Sequence, residues 1–344
     1  MRALRKIKPE VGADFVDIPI PEIGALDLLV RVKAAAVCKS DIEVIEWTPL
    51  VASSKYNLPF TLGHEFSGEV VAVGKLVKNF KVGDRVAGET HIPCGYCHEC
   101  RTDNKHICTN NMGVLGRNVD GCFAEYIRLP EISAIKLPNG ADYVEMSLLE
   151  PMGTALHSLQ KAEFCGKNIA ILGVGSIGLM ACNLAKILGA NMIIALDTNE
   201  KRLAYSLKVG ADVAVNGLKE NFVQIVKDKT DRQGVDCVVD FTGNVKVINQ
   251  AIDILATAGT LVHVGMVQDE HIIPNYMYRV VYRELNIKGI YGRHMFRTWE
   301  LMMQLIRNRK IDMGAFIGTV LPMTEYKKAI EEFNSLNGRA VLIP

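Results

Sequence analysis

Gly173-Val-Gly175-Ser-Ile177-Gly178 stands between an apolar run, Asn168–Leu172, and a stretch of helical periodicity, Ile177–Leu188. That placement makes three spaced glycines informative. Two of them permit a tight turn and close backbone approach to a pyrophosphate, and the third lets the helix pack on the strand. The first helical N–H groups and the positive dipole end then favour phosphate, which makes Gly173, Gly175, Ile177 and Gly178 candidate dinucleotide-binding residues. Further apolar runs alternate with helical stretches: Met192–Leu196, Cys237–Asp240 and Thr260–Val264. Continuous apolar strands separated by helices predict an α/β architecture, a doubly wound parallel sheet covered on both faces. Asp197 lies nineteen residues after Gly178, where a carboxylate accepts from ribose hydroxyls and repels the 2′-phosphate that separates NADP from NAD. The alternative for Asp197 is a cap on the helix opening near Asn199. Arg202 follows five residues later, beside the expected ribose. Thr242-Gly243 and Val264-Gly265-Met266 end two later strands and can approach the nicotinamide half of NAD.

The first 150 or so residues have a different texture, with short β-branched segments such as Leu28–Ala34, Glu69–Gly74 and Asp84–Ala87 broken by Gly, Pro and polar turns. Many short strands without long helices predict a partly open barrel or sandwich. A chain of 344 residues exceeds one ordinary core, so two domains are expected. Helices are expected around Trp299–Arg309 and Tyr326–Asn334. A formal net charge of +1 gives no electrostatic basis for nucleic-acid or anionic-membrane binding. No apolar run has the length of a membrane span, and Met1-Arg-Ala-Leu-Arg lacks the apolar core of a signal peptide. Nine cysteines suit a disulfide framework poorly, and reduced thiols point to the cytoplasm.

Four of those cysteines, Cys94, Cys97, Cys100 and Cys108, form C-x2-C-x2-C-x7-C. Such a run can close a tetrahedral thiolate site around one zinc ion with no position left for substrate, which makes it structural. Disulfides or an iron–sulfur cluster are the alternatives. Upstream, Cys38 in Cys38-Lys39-Ser40-Asp41 and the pair His64-Glu65 supply thiolate, imidazole and carboxylate, a donor set that also suits zinc. Local spacing alone favours a core cysteine and a structural histidine for these residues. Cys122, Cys165, Cys182 and Cys237 read as buried core thiols.

The order Cys38, Gly63-His64-Glu65, Gly83-Asp84-Arg85-Val86, the four lobe cysteines and Gly173–Gly178 resembles the zinc-dependent medium-chain alcohol dehydrogenases over essentially the whole chain. Within that family, Glu46-Trp47, Gly88-Glu89-Thr90-His91-Ile92, Glu150-Pro151-Met152-Gly153 and Tyr291–Trp299 are similar to the threonine dehydrogenases. The resemblance implies a GroES-like β-barrel catalytic domain over 1–153 and 290–344, with a zinc lobe at about 89–112, and a Rossmann NAD domain over 154–289. It implies one catalytic and one structural zinc per subunit, with Cys38, His64 and Glu65 as catalytic ligands and Glu150 as an exchangeable fourth. Ser40 takes the place of a hydroxyl that receives the substrate proton, the alternative being an ordinary turn serine. Glu43 stands where a relay histidine is usual, and Lys39 where a glycine is usual; a carboxylate can still carry protons. The implied substrate is a small secondary alcohol, with threonine first and a polyol, butanediol or sugar as the alternative. Glu150 and His91 are candidates for a substrate ammonium and Arg293 for its carboxylate, an interface or surface role being the alternative for Arg293. Closure between domains and assembly as a homotetramer are further expectations of the resemblance.

Overall fold

The computed structural model describes residues 1–54, 56–110, 112–267, 270–333, 335 and 337–344. The expected helix end at Asn334 and residue 111 of the expected lobe lie outside the described residues. The chain divides into two compact units: Met1–Pro151 with His294–Met303 and Asp312–Pro344, and Met152–Arg293 with Gln304–Ile311.

The first unit is built on a seven-stranded sheet. Its central strand, Asp27–Ala36, pairs antiparallel with Glu65–Val73, with Tyr126–Pro130 and with the C-terminal strand Arg339–Ile343. Arg85–Gly88 and Ala134–Lys136 extend one side and Ile317–Pro322 the other. Asp27–Ala36 and Glu65–Val73 both run longer than the sequence pattern suggested, because Leu28, Val30, Val32 and Ala34 alternate inward against Phe66 and Val70. Each large apolar side chain buried in this way contributes about 1.5–3 kcal/mol. The pairing carries two irregularities, between Leu29 and Val30 and between Val32 and Ala34. A separate three-stranded sheet, Asp14–Asp17, Arg2–Lys6 and Phe60–Thr61, was not signalled by the sequence.

In the second unit six parallel strands run in the order Val213–Asn216, Met192–Asp197, Asn168–Leu172, Val235–Asp240, Leu255–His263 and Asn286–Gly289. The strand Asn168–Leu172 is buried beyond its first residue: Ile169, Ala170, Ile171 and Leu172 are all at 0% exposure, which explains why its sequence is continuously apolar rather than alternating. Chain order reverses direction across the sheet beside Asn168–Leu172, so a crevice opens between its C-terminal end and that of Val235–Asp240. Among the helices of the two units, the three expected ones are observed at Ser176–Ile187, Arg297–Arg307 and Tyr326–Glu332, each displaced or shortened by one or two residues from its apolar period.

Candidate active site and cofactor loop

Cys38 follows the strand Asp27–Ala36 and caps the helix Lys39–Glu46. His64 immediately precedes the strand Glu65–Val73, and Ala36 is paired with Glu65. Strand register therefore delivers Cys38, His64 and Glu65 to one end of the sheet, with ligand atoms all within 4.8 Å of one another.

Asp41 ties this corner together: Oδ2 accepts from the Cys38 N–H at 2.9 Å and Oδ1 faces His64 Nδ1 at 3.3 Å. Burial opposes a charged imidazole at His64, yet the Asp41 carboxylate holds it well above the ordinary histidine value. Burial also raises the Cys38 thiol, but the Arg339 guanidinium and the His64 ring outweigh it and bring it down to about 7. Burial pushes Glu65 well above the usual carboxylate range, against the pull of Arg339. Arg339 Nη2 donates to Glu65 Oε1 at 2.7 Å and lies 3.9 Å from Cys38 Sγ, while Nη1 donates to the Val37 carbonyl at 3.3 Å.

Sulfur, nitrogen and oxygen donors at this spacing, with a thiol already easy to ionise, fit a zinc ion. Asp41 fits the usual orienting carboxylate behind a ligating histidine. Glu150 is outside the three-residue set; its Oε1 accepts from the Thr90 hydroxyl at 2.6 Å. Ser40 is the second residue of the helix Lys39–Glu46, not a turn residue, and is half-buried. Glu43, one turn further on, is buried, with Lys39 Nζ 3.9 Å from its Oε1. The two departures from the family pattern thus face each other.

His91 is buried, and its Nδ1 lies 2.8 Å from Glu89 Oε1, which also accepts the His91 N–H. A carboxylate partner makes Nδ1 the protonated nitrogen. The other Glu89 oxygen accepts from Trp299 Nε1 at 2.8 Å. Arg293, in the second unit, is only 1% exposed and donates to Thr154 Oγ1 at 3.4 Å. It is not a surface arginine.

The four lobe cysteines also have their sulfurs within 4.8 Å of one another. The paired strands His91–Ile92 and Gly113–Val114 close the base of this lobe, and the helix His98–Arg101 places Cys97 and Cys100. Main-chain N–H groups point at sulfur, from Cys97 to Cys94 Sγ at 3.3 Å and from Cys94 to Cys108 Sγ at 3.4 Å. Against a rise from burial, the N–H groups of Tyr96 and Cys97 bring the Cys94 thiol down to about 6, whereas burial and its sulfur neighbours push Cys100 up to about 12. Four thiolates repel one another, and a divalent cation at their centre offsets that repulsion. All nine cysteines are free thiols; Cys122, Cys182 and Cys237 are buried as expected, but Cys165 is exposed, since it sits in the turn before Asn168–Leu172.

In the second unit Gly173 takes a φ of +83°, and a Cβ on Gly178 would stand 2.1 Å from the Gly173 carbonyl oxygen. No side chain caps the helix Ser176–Ile187, whose first N–H groups border the glycine loop; this is a cradle fit for a pyrophosphate. Asp197 does not cap the next helix, a task its neighbour Asn199 performs through the Lys201 and Arg202 N–H groups. Asp197 Oδ2 instead accepts from the Val174 N–H at 2.9 Å, which ties the strand end to the glycine loop. Arg202 is half-buried in the first turn of Glu200–Val209, Ile177 is half-buried, and Thr242, Val264 and Gly265 follow the ends of their strands.

Sequence reasoning passed over Asp41, Glu89, Thr90 and Arg339 as working residues. Asp41 carried a local signal, three residues after Cys38 at the start of a helix, and Glu89 and Thr90 lie in the Gly88–Ile92 segment that carries the resemblance.

Residues 24–139 match the alcohol dehydrogenase GroES-like domain, and residues 176–308 match the zinc-binding dehydrogenase family. The L-threonine 3-dehydrogenase of Caldanaerobacter subterraneus subsp. tengcongensis is 38% identical, covering 100% of this chain and 99% of its own. That of Bacillus subtilis strain 168 is 37% identical, with the same coverage. A zinc-binding dehydrogenase of Sinorhizobium meliloti 1021, in a crystal structure with NADP, superposes with a TM-score of 0.89 at 27% identity, covering 100% of this chain and 99% of its own. With relatives at this identity along its full length, the chain belongs to the zinc-dependent medium-chain alcohol dehydrogenase family, and it is an oxidoreductase.

Proposed function

We propose that this enzyme oxidises the secondary alcohol of L-threonine with NAD⁺, giving 2-amino-3-oxobutanoate, NADH and a proton. The observation that carries the reading is the Cys38–His64–Glu65 cluster in a chain that matches L-threonine 3-dehydrogenases from end to end. When bound, zinc supplies Lewis-acid polarisation of the substrate hydroxyl, and NAD⁺ accepts the hydride. Cys38, His64 and Glu65 hold the catalytic ion, with Glu150 an exchangeable fourth ligand, and Cys94, Cys97, Cys100 and Cys108 hold a second, structural one. Ser40 takes the hydroxyl proton, and Glu43, three residues along the same helix, passes it on; side chains three apart share a helix face. Glu150 and His91 receive the substrate ammonium, and Arg293, always charged, its carboxylate.

The test is the rate of NAD⁺ reduction by the zinc-loaded enzyme with L-threonine against sorbitol, 2,3-butanediol, glucose and simple secondary alcohols. L-threonine should give the highest kcat/KM; a polyol or sugar ahead of it would keep the chemistry and discard the substrate.

NAD is the cofactor of this reading rather than NADP, because the Asp197 carboxylate stands at the end of its strand beside the glycine loop. Asp197→Asn removes the charge while keeping an acceptor for Val174. It should raise the ratio of NADP⁺ to NAD⁺ kcat/KM by at least about tenfold, the size of a lost charge-assisted hydrogen bond. An unchanged ratio would count against Asp197 as the selector.

Assembly with copies of itself, as a homotetramer, belongs to the same reading. It is supported by the edge position of Asn286–Gly289 and by the exposure of Tyr278, Tyr282 and Ile287 in that region. No helix among the described residues is long and apolar enough to cross a membrane. A cytoplasmic site of action is inferred from nine unpaired thiols.

A further inference from the structure

Asp240 ends the strand Val235–Asp240 at the sheet's switch point and is fully buried. Its Oδ1 accepts from the Thr242 N–H at 3.0 Å and the Thr242 hydroxyl at 2.5 Å. Its Oδ2 accepts from the Gly243 N–H at 3.2 Å and faces His263 Nδ1 at 3.1 Å. The main-chain carbonyl of the same residue accepts from the N–H groups of Val264 and Gly265, both at 3.0 Å. One residue therefore grips the loops that leave two neighbouring strands.

The two loops touch backbone to backbone. A Cβ on Gly243 would lie 2.3 Å from the Met266 carbonyl oxygen, and one on Gly265 would lie 2.2 Å from the Gly243 nitrogen. On the other side Thr242 abuts the glycine loop, where a Cβ on Gly173 would meet Thr242 Cγ2 at 2.9 Å. No lysine or arginine forms an ion pair with Asp240 among the described residues, so main-chain donors and the Thr242 hydroxyl carry its charge. A buried carboxylate is costly to desolvate, and a neutral residue would close a simple turn at lower cost.

We propose that Asp240 is a positioning residue for the cofactor. It locks Thr242-Gly243 and Val264-Gly265 into one preformed platform for the nicotinamide half of the dinucleotide. The inference rests on the cofactor reading above.

Asp240→Asn keeps the side chain's shape but turns an N–H donor against the Gly243 N–H. The measurement is the Kd of the zinc-loaded enzyme for NADH and for ADP-ribose, which shares the pyrophosphate and lacks the nicotinamide ring. The NADH Kd should rise about tenfold or more, the scale of a lost hydrogen bond to a charged group, while ADP-ribose stays within about twofold. The KM for NAD⁺ should rise with the NADH Kd and the KM for the alcohol should not. Equal weakening of both ligands, or of neither, overturns the proposal. A parent enzyme that binds neither ligand overturns the cofactor reading and this inference with it. Hydrogen exchange on the parent enzyme tests the platform without a variant. The amides of Thr242, Gly243, Val264 and Gly265 should be protected before NADH is added; free exchange until NADH binds would rule out a preformed platform.

Discussion

Cys38→Ser is expected to lower alcohol-dependent NAD⁺ reduction on the order of a thousandfold or more and to reduce the zinc content from two ions per chain to one. The thiol at this position is brought down to about 7, so a thiolate is within easy reach at neutral pH. A serine hydroxyl is a harder and far less acidic donor that zinc selects against. Lewis-acid stabilisation by a bound metal is worth several kcal/mol, and each 1.36 kcal/mol is about tenfold in rate. The lobe offers a control: Cys94→Ser should remove the other zinc and lower the thermal midpoint. The two variants should therefore lose different ions with different consequences, read by metal analysis and turnover together. Near-normal activity in Cys38→Ser with both ions retained would end the assignment of this cluster as the catalytic site.

Arg339→Leu is expected to cost about 3–5 kcal/mol of stability, the usual price of removing one partner of a buried ion pair. Glu65 is fully buried and Arg339 only 2% exposed, so the change leaves a buried Glu65 oxygen without the guanidinium that donates to it. The loss should be larger in metal-stripped protein than in zinc-loaded protein, because a bound cation also offsets the Glu65 charge. Arg339→Leu combined with Glu65→Gln should be less destabilised than the sum of the two single changes, since the orphaned charge has been removed with its partner. Urea midpoints of the four proteins give all these numbers. A single variant within about 1 kcal/mol of the parent would mean that the pair is not a stabilising contact.

What the sequence made legible was local. The glycine loop is a six-residue pattern between a strand and a helix, and the cysteine lobe is a run of short spacings; both fold around themselves. The continuous apolar strands also read correctly because burial on both faces leaves no alternation to misread. Arg339 could not be read in this way, since it reaches Glu65 across 274 residues only because the last strand pairs beside Asp27–Ala36. Glu89 is a similar case: its value depends on Trp299, which lies 210 residues away on a helix whose docking no local pattern encodes. Asp197 illustrates the intermediate case. Spacing found the residue, but not the Val174 bond that fastens the loop to the sheet.

The two irregularities between Asp27–Ala36 and Glu65–Val73 have a bearing on how the catalytic corner can change over time. Paired residue numbers sum to 101 from Leu28↔Val73 to Leu29↔Ala72, to 100 from Val30↔Val70 to Val32↔Gly68, and again to 101 from Ala34↔Ser67 to Ala36↔Glu65. One extra residue, Val71, sits in one strand, and the other, Lys33, sits in its partner, so the second offset cancels the first. Successive side chains alternate faces, so a lone deletion at either position would advance one donor-bearing strand end by a single step and turn its ligand away from the others. Loss of both would restore the frame. The cluster therefore works like a two-wheel combination lock, and length changes in these strands can survive only as matched pairs.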